Sequence, residues 1–104
     1  MAQERPVVWS HAATEDLESI ADFIARDSPS YARTFVRRTK EVSRSLGEFP
    51  ERGRIVPEFG NKSIREVFIH SYRLIYKVRE LQVIILALIH GQRDLKRAWD
   101  AETR

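Results

Sequence analysis

The chain has no cysteine, which excludes a disulfide framework and any thiolate metal site and suits a reducing compartment. It also lacks a long apolar run: "VIILALI" (Val83–Ile89) is the longest, far short of the roughly 20 residues that a membrane-spanning helix needs. The opening "MAQERPVVW" has none of the basic-then-apolar layout of a signal peptide. These absences predict a cytoplasmic protein with no membrane partner. There is no internal repeat and no low-complexity tract. A Gly-rich phosphate loop, a nucleophile elbow, a histidine pair at metal-ligand spacing and a neighbouring acid pair of the hydrolase kind are all missing. No cofactor and no metal is expected.

What is present fits one ordinary domain spanning residues 1–104. Apolar residues make up 42% and charged residues 32%, the composition of a folded chain rather than a disordered one. The net charge is a modest +3, but it is unevenly distributed: residues 1–60 carry nine Lys/Arg against ten Asp/Glu, and residues 61–104 carry nine against five. A basic C-terminal half favours polyanionic partners, whether nucleic acid or an acidic protein.

The periodicity predicts an α+β fold in the order β-α-α-β-β-β, closed by a short C-terminal helix. "PVVW" (Pro6–Trp9) reads as a short strand, and Pro6 places it at a strand start or edge. Ala13, Leu17, Ile20, Ala21 and Ile24 then recur on one helical face, with Ser10 as cap and Glu15, Asp16 and Glu18 in the early turns. Pro29, capped by Ser28, starts a second helix through Ala32, Phe35, Val36, Thr39, Val42 and Leu46, which Gly47 and Pro50 stop. The two helices form a hairpin. Glu15, Glu18 and Asp22 stack on one outer face, and Arg33, Arg37, Lys40 and Arg44 on the other; such faces are solvated or serve a partner.

"FPERGRIVPEFGNKS" (Phe49–Ser63) reads as a loop long enough to invite a function. Three strand-like runs follow, "IREVFIH", "YRLIYKV" and "VIILALIH", which predict an antiparallel meander in a small sheet with the hairpin on one face. In the middle run Tyr72, Leu74, Tyr76 and Val78 alternate with Arg73, Ile75, Lys77 and Arg79. "DLKRAWDAE" closes the chain as a helix capped by Asp94, with Leu95 and Trp99 on one side.

The titratable groups worth weighing are Arg65, His70, Arg73, His90 and Arg93, which sit at strand ends that an antiparallel meander brings towards one edge. Arginine cannot act as a base, but it holds phosphate and stabilises charge developing there. Histidine can move the proton. Arg73, His90, Arg93 and Arg65 together would suffice for metal-independent RNA cleavage, in which a base activates the 2′-hydroxyl and an acid protonates the leaving 5′-oxygen. Strand-end arginines are more often solvated or ion-paired, and a histidine beside an apolar strand is more often structural.

"VVWSHAATEDLESIADFIA", "FPERGRIVPE", "IREVFIHSYRLIYKV" and "LALIHGQRDL", in this order from Val7 to Leu95, resemble the RelE/ParE superfamily of bacterial type II toxins. The resemblance implies a small toxin silenced in a hetero-oligomer by a cognate antitoxin, whose chain would supply an amphipathic helix and an extended segment. It implies two alternative targets. RelE-like members cleave mRNA on the ribosome, and an arginine at the position of Arg73 and another at that of Arg93 are features of that branch. ParE-like members poison DNA gyrase and are not nucleases, and "TEDLESIADFI" in a long hairpin is closer to them. The lysines and C-terminal tyrosine typical of the nucleases are absent, with Arg65 and Trp99 standing nearest. The two arginines tilt the reading towards an endoribonuclease, with gyrase inhibition as the alternative.

Overall fold

The computed structural model describes residues 4–91. The helix expected from Asp94, and Arg93 and Trp99 with it, lie outside the described residues.

Strand β1 (Val7–Trp9) leads directly into helix α1 (His11–Ala25). The Ser10 hydroxyl accepts from the Ala13 N–H at 3.1 Å and so satisfies one of the four orphan donors of the first turn. No acid lies in that first turn. The side-chain cap therefore does what the sequence assigned partly to charge. Helix α2 (Pro29–Glu48) starts in the same way, with Ser28 Oγ accepting from Tyr31 N at 3.1 Å and proline in the first turn, where its missing N–H costs nothing. The two helices pack antiparallel on one face of a sheet.

That sheet has five strands in the order β1-β5-β4-β3-β2, with β2 at Arg54–Ile55, β3 at Ile64–Ile69, β4 at Tyr72–Val78 and β5 at Val83–His90. Strands β3, β4 and β5 form the expected antiparallel meander. Two features go beyond it. β1 runs parallel to β5, with Val7 opposite Val83 and Trp9 opposite Ile85, so the sheet is mixed. And the long loop after the hairpin contributes β2, a two-residue edge strand antiparallel to β3.

A bulge interrupts the β4–β5 ladder: Ile75 faces Ala87 and Tyr76 faces Ile85, which leaves Leu86 without a partner on β4. The start of α1 sits over this gap. Ser10 Oγ donates to the Leu86 carbonyl at 3.3 Å, and Asp16 Oδ2 accepts from Leu88 N at 3.0 Å. These bonds fix the hairpin to β5, an interior strand of the sheet.

The sheet has two covered faces. On the helix side Ala13, Leu17, Phe35, Val42 and Leu46 meet Ile69, Leu74, Tyr76, Val83, Ile85 and Leu88 in the main core. On the other side Val56 packs with Ile75, Ala87 and Ile89, joined by Phe59, Ile64 and Leu86.

Candidate functional site

Arg73 was expected at an open, basic strand edge; it lies buried, only 4% exposed. The β3–β4 register explains why. The tight turn at His70–Ser71 pairs Phe68 with Arg73 and Glu66 with Ile75, so Arg73 and Glu66 are diagonal neighbours on the face away from the helices, a separation that an arginine side chain spans. Arg73 Nε donates to Glu66 Oε1 at 2.5 Å. Glu66 is also opposite Arg54 on β2, whose Nε donates to Glu66 Oε2 at 2.6 Å.

The loop after β2 completes the network. Val56 N donates to Ile64 O, and Phe59 N and Gly60 N both donate to Val56 O. Gly60 takes the left-handed conformation this turn requires, with φ 61°. The turn seats Val56 and Phe59 on the sheet and lays Glu58 over Arg73. Glu58 then accepts from both terminal nitrogens of Arg73, at 2.8 and 2.9 Å, the bidentate geometry that suits guanidinium and carboxylate. Two arginines and two glutamates thus form one neutral chain, Arg54–Glu66–Arg73–Glu58.

The electrostatics follow the contacts. The hydrogen bond from Arg73 holds the Glu58 carboxyl below its usual range, against the opposing effect of burial. Glu58 first, and Glu66 after it, raise the Arg73 guanidinium above its already high value. Among the described residues no buried side-chain polar atom lacks a hydrogen-bond partner. The cluster can hold charge and position a loop. To take a phosphate, Arg73 would have to give up Glu58.

Tyr76 braces the neighbouring segment from the other face. Its hydroxyl donates to Pro50 O at 2.7 Å and accepts from Gly53 N at 2.9 Å, and burial pushes its pKa up. Gly53 passes so close to the Glu66 carbonyl that a Cβ there would lie 2.4 Å from it.

The other expected residues lie elsewhere. His70 occupies the β3–β4 turn at φ 54°, a conformation histidine tolerates better than bulky residues do. Its ring meets Tyr31 at 5.7 Å and Phe35 at 6.2 Å. His90 pairs with Tyr72 across the ladder, their ring centroids 5.6 Å apart. These three residues gather at one end of the helix-side face. Arg73 is at the same strand end but on the opposite face. Arg65 shares the helix-side parity of Val67 and Ile69, yet it pairs with Tyr76, four residues along β4 from Tyr72, or about 13 Å. Its guanidinium donates to Gly53 O at 3.0 Å. The structure brings His70, Tyr72 and His90 together and keeps Arg65 and Arg73 apart from them.

Sequence reasoning missed Glu58, Glu66 and Arg54. A usable signal was present for Glu66. Counting outwards from a two-residue turn at His70–Ser71 places it two positions along from the partner of Arg73. Among the described residues no group of three or more His, Asp or Glu side chains could hold a metal, and no helix is long and apolar enough to cross a membrane.

Residues 7–95 match the family of ParE toxins of the parDE type II toxin–antitoxin system. The chain is 36% identical over 88 residues to "Toxin RelE2" of Caulobacter vibrioides, a match that covers 84% of this chain and 96% of the relative. A solved structure described as the chromosomal ParDE TA system from P. aeruginosa superposes with a TM-score of 0.71. At 18% identity, covering 88% of this chain and all of that one, it establishes a shared fold. Over almost its whole length, then, the chain belongs to the ParE toxin family, within the RelE/ParE superfamily of type II toxins.

Proposed function

We propose that this toxin arrests growth by binding DNA gyrase, in the ParE-like manner, without cleaving a bond itself, and that a cognate antitoxin silences it in the cytoplasm. The observation that supports this reading is the position of Arg73. Cleavage of RNA needs a base, an acid and charge-stabilising cations around a single phosphate. Here Arg73 donates to Glu58 and Glu66, while Arg65 and His90 stand at opposite ends of the other face. Arg73, one of the two arginines that tilted the sequence towards RNA cleavage, is thus engaged in holding a loop.

The ribonuclease reading retains one observation of its own. His90 is exposed beside Tyr72, an imidazole and a phenol at one strand end, with Arg93 three residues further along the chain. In that reading His90 moves the proton and Arg93 holds the phosphate.

One experiment separates the two. The toxin is induced without its antitoxin, and protein and DNA synthesis are followed by pulse labelling through the first minutes. The binding reading expects DNA synthesis to fall first, with stabilised gyrase–DNA cleavage complexes and continued labelling of protein. An early fall in protein synthesis, with new mRNA ends inside codons on ribosomes, overturns it in favour of the nuclease.

A further inference from the structure

Helix α2 packs over β1 and β5, so the helix-side residues of β3, Arg65, Val67 and Ile69, lie beyond its far flank. Tyr31, Arg38 and Ser45 stand seven positions apart on that flank, and two turns of helix bring such residues almost into one line. The line is tied to the sheet at both ends. The Tyr31 and His70 rings meet edge to face at 5.7 Å, and Ser45 Oγ accepts from Arg52 Nη1 at 2.6 Å. Between the two ties is Arg38. It lies about 10 Å along the helix from Tyr31, as Val67 lies about 10 Å along β3 from the His70 turn, so the two come level, with Arg65 one pleat further on. Val67 and Arg65 are half-buried and Arg38 is exposed. An open cleft thus runs between α2 and β3, on the opposite side of α2 from α1.

The cations of this cleft are not neutralised. Among the described residues the Arg38 guanidinium makes no hydrogen bond or ion pair. The side chains of Arg52 and Arg65 bond to Ser45 Oγ and the Gly53 carbonyl, not to a carboxylate, and Glu41, one turn from Arg38 on α2, pairs with none of the three. We propose that this cleft binds single-stranded DNA, with backbone phosphates on Arg38 and Arg65 and a base against Tyr31 and His70. A carboxylate would satisfy the arginines equally well, so the rings decide between the two. Tyr31 is 44% exposed and His70 is exposed beside it, and a basic cleft that ends in open rings holds a single strand without reading its sequence. A duplex suits the cleft less, because its bases are stacked on one another and cannot reach the rings. The choice of DNA over RNA rests on the gyrase reading, whereas the cleft itself does not.

Fluorescence anisotropy tests this, with a short labelled oligo-dT titrated by the full chain, separated from its antitoxin and with no gyrase present. The wild type binds at low ionic strength, and its affinity falls with salt along a logarithmic slope of about −1.4, as two contacted phosphates require. Arg38→Ala weakens binding about tenfold and takes about 0.7 from the slope. Tyr31→Ala weakens it about tenfold and leaves the slope as it was. Arg33→Ala removes an exposed charge from the α1 side of the same helix and changes the affinity by no more than about twofold. Circular dichroism checks that the variants keep their helices. A wild type that does not bind at low ionic strength overturns the proposal, as does an Arg33→Ala loss equal to that of Arg38→Ala, the mark of diffuse charge. An oligo-U bound about tenfold more tightly than oligo-dT overturns the choice of DNA. With gyrase absent, none of these outcomes turns on whether the toxin inhibits it, which the pulse labelling decides separately.

Discussion

The two faces of the sheet are held by different means. On the helix side two amphipathic helices cover the strands, and residues such as Phe35, Leu46, Leu74 and Ile85 have no exposure at all. Burial of apolar area does the work there, at about 25 cal/mol per Å². On the far side a short turn has only Val56 and Phe59 to set on Ile75, Ala87 and Ile89, and an ionic chain supplements that small contact. Apolar area is tolerant of geometry, whereas a bidentate Arg73–Glu58 pair accepts one loop position. The difference is between a face that stabilises and a face that specifies. Buried ion pairs often contribute little net stability compared with apolar residues of similar volume, but removing one partner is costly.

The comparison can be broken in three places. Phe35→Ala on the helix side should cost about 3–5 kcal/mol, transfer and cavity terms together, read as a fall in the urea midpoint; a loss under about 1 kcal/mol would mean that the helices are not the main source of stability. On the far side Arg73→Ala should cost about 3 kcal/mol, the lower end for a broken buried pair, because Arg54 still holds Glu66. Replacing Arg73 and Glu66 together by leucine should cost less than Arg73→Ala, since no buried charge is then left unpaired. If the double variant loses as much as the sum of its parts, the network contributes area rather than specificity.

The smallest effect is acid sensitivity. The folded-state pKa of Glu58 lies below its ordinary value of 4.5, so its stabilising contribution is complete above that value and is lost as pH falls through the lowered one. Thermal unfolding of the wild type and of Glu58→Gln should therefore show a constant gap near neutrality that narrows in acid. A gap unchanged by pH would remove Glu58 from the balance.

Much of this fold was legible in the chain, and the exceptions have physical causes. Ser10, Ser28 and Pro29 marked the helix starts because capping is local chemistry, and the 3.6-residue pattern marked the faces. The meander followed from short breaks between strand-like runs. The partner of β1 was not legible, because three residues carry no pairing preference of their own and the strand they pair with lies 76 positions away, Val7 facing Val83. β2 escaped notice for the same reason: two residues cannot show a period.

At the site, alternation placed Arg73 and Ile75 on one face, but it cannot say whether a face is covered. Ile75, between Arg73 and Lys77, was the sign that this one is. The second partner of Arg73 could not be read at all, since Glu58 reaches it only through a turn 15 residues earlier in the chain. The four candidate residues were grouped by strand end alone. Face matters equally, and register, which depends on turn length, decides it.

The parallel pairing of β1 with β5 has a consequence for how the toxin comes into being. Ser10 reaches across 76 positions in the chain to Leu86, and β5 is the last of the described strands to be synthesised. Until β5 has been made, the hairpin can coil but lacks the strand to which Ser10 and Asp16 bond, and β1 has no neighbour. Contacts so distant in sequence close late and slowly. An active molecule therefore cannot form before β5 has been made, and the partner that must silence it meets either a chain without that strand or a folded toxin, with little between.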